Sequence, residues 1–118
     1  MDRVHRGRGH LGPRHGRADG AASALPNMYI ATTRKSALDP SLPANIPAYA
    51  LGLGDALCHA TRDAAFSCGM ERDMGRLAAG LYADFVVLDA DPFAAGLESL
   101  LTTSVSMTVV GGQRRYVA

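Results

Sequence analysis

The run Gly75-Arg76-Leu77-Ala78-Ala79-Gly80-Leu81-Tyr82-Ala83-Asp84-Phe85-Val86-Val87-Leu88-Asp89, closed by Asp91-Pro92, changes the period of the chain. Before it, apolar residues recur at helical spacing. From Phe85 to Leu88 four consecutive apolar residues fill a strand-length window bounded by aspartates, the pattern of a strand buried on both faces. Further on, Val105, Met107 and Val109 alternate with Ser104, Ser106 and Thr108, Gly111-Gly112 supplies a two-residue turn, and residues 113–117 return. That combination predicts a β-hairpin. Residues 94–101, between strand and hairpin, read as a helical turn or an irregular connection.

Upstream, Leu53, Ala56, Leu57 and Ala60 form an i, i+3, i+4, i+7 stripe with Asp55 in the first turn, where the helix dipole favours an anion. Thr61 is expected to cap a second short helix over 62–68, and Gly69 to stop it in the left-handed conformation. Cys58 and Cys68 lack any CxxC partner and read as small core residues. Asp39-Pro40, Pro43 and Pro47 punctuate a loop, because each proline restricts itself and its predecessor to extended backbone. Before that loop, Leu25, Met28, Tyr29, Thr32 and Thr33 predict a helix over 28–35 with Asn27 as N-cap. Residues 1–20 hold five Gly, five Arg and three His with few apolar members, too few to fold alone. The chain therefore divides into a disordered or non-homologous segment (1–20), a helical segment (21–74) and a strand-and-hairpin segment (75–118).

The whole chain has 118 residues, 47% hydrophobic and 19% charged, which fits one modest domain. It is too short for a complete (β/α)₈ barrel, which needs about 250 residues. A net charge of +1 gives no bias toward nucleic acid or an anionic membrane. No secretory signal and no run of membrane-spanning length is present, so a cytoplasmic location is expected.

Few residues carry chemistry on their own. His5, His10 and His15 are five apart, a spacing that suits neither a helical zinc pair nor a strand-borne HxH, and they read as solvated. The neighbouring arginines lack the aromatic interleaving of a nucleic-acid surface. His59 has an Asp at i−4 and another at i+4, a geometry shared by structural and catalytic histidines, and reads as a boundary or surface residue. Asp84, just before the apolar strand, is expected to accept backbone N–H bonds.

The order of the segments says more. The run from Gly75 to Asp89, then Asp91-Pro92, then residues 105–116 with the Gly111-Gly112 turn, resembles the C-terminal end of metal-dependent amidohydrolases, with its pattern G-x-L-x-x-G-x-x-A-D-hydrophobic-V-V-L-D and a hairpin around G-G. Asp55-Ala56-Leu57, Thr61, Ala65 and Gly69 are similar to the family's preceding helix. Leu25-Pro26-Asn27-Met28-Tyr29-Ile30-Ala31-Thr32-Thr33-Arg34 resembles the P-x-x-x-I-x-A-A-V-T-R segment of the family 3 branch that includes D-aminoacylase-like and formamide-deformylase-like enzymes.

The resemblance implies an α+β arrangement: the last helices of a (β/α)₈ barrel plus the C-terminal strands of a small β-sandwich. It implies a hydrolase of non-peptide carbon–nitrogen bonds, a divalent metal, commonly zinc, that activates water, and a small amide-type substrate. Asp19, seven residues before Pro26, stands near the position of the family's catalytic, metal-binding acid; otherwise it is a solvated loop carboxylate. The family's HxH and later histidines have no counterpart, so the chain alone is expected to be inactive and to bind no metal. Its composition before about residue 17 is that of an internal start or a shifted frame, with the missing ligands encoded upstream. Self-association through exposed strand edges is expected, and the rival reading is a non-catalytic module that pairs with a partner by β-strand addition.

Overall fold

The computed structural model describes residues 24–118. It opens with α1 (Ala24–Thr33), which starts earlier and ends sooner than the expected 28–35. Pro26 lies in the first turn, where no intrahelical partner awaits its missing N–H, so the helix forms around it and Asn27 is not the cap. At the other end Thr32 and Thr33 donate their hydroxyls to Met28 O (2.8 Å) and Tyr29 O (2.7 Å). Arg34 then takes φ +59°, unusual for a residue with a Cβ. Two bonds hold it there: Asn45 N–H donates to Arg34 O at 2.8 Å, and Arg34 Nε donates to Asn45 O at 3.0 Å. The proline-punctuated loop closes at this point. Its return through a 3₁₀ turn (Pro47–Tyr49) runs back along α1, with Leu51 N–H on Ala31 O.

α2 (Leu53–Cys58), a π-helical turn (His59–Asp63) and α3 (Ala64–Ser67) run on as one continuous helix. The expected break at Thr61 is absent: its hydroxyl donates to Leu57 O at 2.7 Å and caps nothing. The wide turn also shifts the apolar stripe, so that Ala56 and Ala65 are buried while Leu57 and Ala60 face solvent. Gly69 stops the helix at φ +70°, as expected. Cys68, placed beside that stop, is exposed, contrary to the core reading; Cys58 is half-buried.

The chain next crosses the helix at Gly75 (φ +100°). A Cβ here would lie 2.7 Å from Ala65 Cβ and 3.2 Å from Arg62 Cα, so the crossing is as close as glycine permits. Gly80 also has positive φ but has open space around it, which separates two reasons for glycine in one motif.

β1 (Phe85–Leu88), β2 (Val105–Val110) and β3 (Gln113–Val117) form an antiparallel sheet in the order β1-β2-β3. Phe85 pairs with Val109 and Thr108 with Tyr116, and the predicted hairpin turns on Gly111 and Gly112, both at positive φ. Asp84 Oδ1 accepts from Gly111 N at 2.6 Å, and Asp89 Oδ1 accepts from Ser104 N at 2.8 Å, so the two aspartates pin β1 to β2 at both ends. The expectation of a strand buried on both faces fails. β1 is an edge strand with Val86 and Val87 exposed, because no second layer of described residues covers it.

Between β1 and β2, Asp91 caps α4 (Pro92–Ala95) by accepting from Phe93 N at 2.9 Å, with Pro92 in the first turn. A 3₁₀ turn (Leu97–Leu101) then drops Leu100 onto α1. Met28, Tyr29, Ala56 and Leu100 make the core, with Leu25, Leu53, Leu97 and Leu101 packed around it. The described residues are thus α+β: a helical layer with its own core, and a three-stranded sheet tied to it through the 91–103 connection.

Candidate functional site

Asp19, His5, His10 and His15 lie outside the described residues. His59 sits at the start of the π-helical turn, with Asp63 four residues on along the same helix. Its Nδ1 lies 2.6 Å from Asp63 Oδ2, and Arg62 Nε donates to Asp63 Oδ1 at 2.8 Å. Of the two acids flanking His59, the structure therefore selects Asp63. The Arg62 guanidinium holds the Asp63 carboxyl below its ordinary range; burial opposes it, and the His59 ring adds to the lowering. The relation is reciprocal, and Asp63 pushes the Arg62 pKa further up.

A carboxylate with both oxygens engaged orients an imidazole and leaves its Nε2 for other partners. That ring borders a groove of about 410 Å³ between α1 and α2, lined also by Asn27, Met28, Leu51 and Ala56. Among the described residues, neither serine nor cysteine lines the groove. Among the described residues no three His, Cys, Asp or Glu side chains converge as metal ligands. The donor set of this segment does not fit the divalent metal that the resemblance implies.

Asp84 and Asp89 are taken up by the sheet and Asp91 by its helix cap, as their bonds above show. The expectation that Asp84 accepts backbone N–H bonds is met. Tyr29 is enclosed on all sides, and its hydroxyl has no hydrogen-bond partner among the described residues. Burial, then the neighbouring Glu98 carboxylate, push its pKa up.

Sequence reasoning missed a second cavity, of about 340 Å³, where Arg62, Arg72 and Arg76 approach Glu71 and Phe66. The only signal for it was the charge alternation Glu71-Arg72-Asp73 before Gly75-Arg76. No helix among the described residues is long and apolar enough to cross a membrane.

Comparison with known proteins adds what this geometry leaves open. Residues 22–116 match the amidohydrolase family. Over 54 residues the chain is 48% identical to an imidazolonepropionase of Rubrobacter xylanophilus (strain DSM 9941 / JCM 11954 / NBRC 16129 / PRD-1), in an alignment that takes in 42% of this chain and 13% of the relative. The chain thus spans a small fraction of that curated relative's length. No solved structure matches it.

Proposed function

This chain belongs to the amidohydrolase family, and from that premise we propose that it corresponds to the C-terminal part of a hydrolase acting on non-peptide carbon–nitrogen bonds of small amide-type molecules. The observation that carries the reading is the family match over 22–116, joined to an alignment confined to 13% of a curated relative. On this reading residues 21–74 derive from the last barrel helices, residues 75–118 from the strands of the small sandwich, and residues 1–20 from neither. In the whole hydrolase a divalent metal, zinc by resemblance, would activate the attacking water. None of the described residues is assigned to hold it. Asp19 takes the role of the acid that accepts the water's proton and passes it to the leaving nitrogen. The role of residues 24–118 is to close the barrel and complete the sandwich.

The outer edges of β1 and β3, unpaired among the described residues, favour one rival, a non-catalytic module that pairs with a partner's sheet by β-strand addition. A segment exchange separates the two. The 54 residues of this chain that align with the imidazolonepropionase are placed in that enzyme in place of their counterpart, and chelator-sensitive turnover of its own substrate is measured. The expected result is a folded, active chimera, while the unmodified chain with added zinc or manganese hydrolyses amides, formamides and cyclic ureides no faster than buffer. A chimera that folds but is inactive, beside a free chain that runs as a sharp monomer and unfolds cooperatively, transfers the weight to the pairing module.

A further inference from the structure

The two outer edges of the sheet, both unpaired among the described residues, are unlike each other. β1 offers Phe85-Val86-Val87-Leu88 with no charge and no proline, and the irregularity in its pairing puts the extra residue, Ser106, on β2. Such an edge carries none of the devices that ward off another strand. Its charges stand only at its two ends, on Asp84 and Asp89, each of which spends one carboxylate oxygen on a backbone N–H at β2. β3 is the opposite case. It is exposed from Gln113 to Val117, and Arg114 and Arg115 stand side by side in it with no ion pair among the described residues. A second copy could meet these edges in three ways. Two-fold pairing of β1 with β1, centred between Val86 and Val87, sets Asp84 of one copy opposite Asp89 of the other, and two-fold pairing of β3 with β3 sets the arginines against each other. Like charges opposed across a strand pair are destabilising. Only the mixed pairing, β1 of one copy beside β3 of the next, brings carboxylates toward guanidiniums.

We propose that this chain associates with copies of itself head to tail, β1 of one copy pairing with β3 of the next, so that the sheet continues in the order β3-β2-β1-β3-β2-β1. A contact between two different edges does not close on itself as a two-fold dimer does, so the assembly lengthens with concentration. The inference rests on the sheet alone, and turnover by the chimera does not bear on it. The test is sedimentation velocity of the full chain at low ionic strength, with two variants at exposed positions. Val86→Lys puts a cation on the β1 edge, and Arg114→Glu with Arg115→Glu reverses the charge of the β3 edge. The parent chain is expected to form species larger than a dimer that shrink as salt rises. Each variant alone is expected to associate about tenfold more weakly, the worth of exposed ion pairs turned from attraction to repulsion. Mixed one to one, the variants are expected to regain association, because each supplies the edge that the other lacks. A two-fold β1 contact would instead leave the glutamate variant associating by itself, and a two-fold β3 contact would leave Val86→Lys doing so. Unchanged Gly111 and Gly112 amide signals at dilution check that the variants remain folded. A parent chain that stays monomeric, either variant associating as the parent does, or a mixture no better than its components would each overturn the proposal.

Discussion

The helical layer and the sheet of this chain are held together by different forces. Around α1 the chain buries large side chains outright: Tyr29 and Leu100 are enclosed, and four leucines and a methionine crowd against them. In the sheet only Val109 is buried, while Val86, Val110, Tyr116 and Val117 lie open, and what fixes the strands is hydrogen bonding by Asp84, Asp89 and the glycine turn. Burial is non-directional and scales with area, so the first region tolerates an irregular path through prolines and a π-turn. Side-chain pins are directional and local. They set the register of a sheet but contribute little to its depth of stability.

That contrast is most easily broken at Leu100, the residue by which the strand-bearing segment reaches the helical core. Leu100→Ala is expected to cost about 2–5 kcal/mol through lost burial and the cavity left behind. Hydrogen exchange should show the amides of α1 and of residues 97–101 losing protection together. The same substitution at exposed Leu77 should change almost nothing, and an equal loss there would mean that the core is drawn wrongly. Gly75→Ala comes next. It combines a left-handed φ with a 2.7 Å clash against Ala65 Cβ, together worth about 2–3 kcal/mol. Gly80→Ala shares only the φ and is expected to cost about 1 kcal/mol on the same denaturant curve.

The two regions were not equally legible in the sequence. The hairpin, the left-handed stop at Gly69 and the backbone-binding role of Asp84 were readable because each rests on local chemistry that a few neighbouring residues determine. Helix limits were less so: Pro26 is harmless in a first turn and disruptive three residues later, and periodicity does not distinguish the two cases. Thr61 looked like a cap because it follows an alanine-rich helix, yet a threonine that bonds back to the i−4 carbonyl serves a continuous helix as well. The burial of β1 was misjudged for a different reason. Phe85 to Leu88 is as apolar as a central strand, but whether a second layer covers it depends on residues far from it in sequence or on another chain. The Arg72, Arg76 and Glu71 cluster depends on a crossing at Gly75 that no spacing rule announces, and Asp19 lies outside the described residues.

If the sheet is held by its pins, removing them should loosen it while sparing the helices. Asp84→Ala and Asp89→Ala are each expected to cost about 1 kcal/mol, the ordinary worth of an accepted backbone bond at an exposed site. The measurement is amide exchange at Gly111 for the first and at Ser104 for the second, with the double variant roughly additive because the pins lie at opposite ends of β1. Faster exchange across all three strands with α1 unaffected sharpens the comparison. Loss of protection in both regions at once would show that sheet and core unfold as one unit.

The smallest expected effect lies on the helical side, where directional polar contacts supplement burial. Asp63 has a carboxyl pKa held below its unfolded value by Arg62 and then by His59. A group whose pKa is depressed on folding stabilises the fold above its unfolded pKa, and that contribution is lost as pH falls through the lower, folded value. Acidification should therefore weaken the π-helical turn only below the ordinary aspartate range of about pH 4. Because the pair is exposed and screened by salt, the change is a modest one, best followed through the amides of residues 59–67 along a pH titration at low ionic strength. In Asp63→Asn the acid transition in these signals should vanish. A turn that is indifferent to acid through and below the carboxylate range would show that the ionised Asp63 does not hold it.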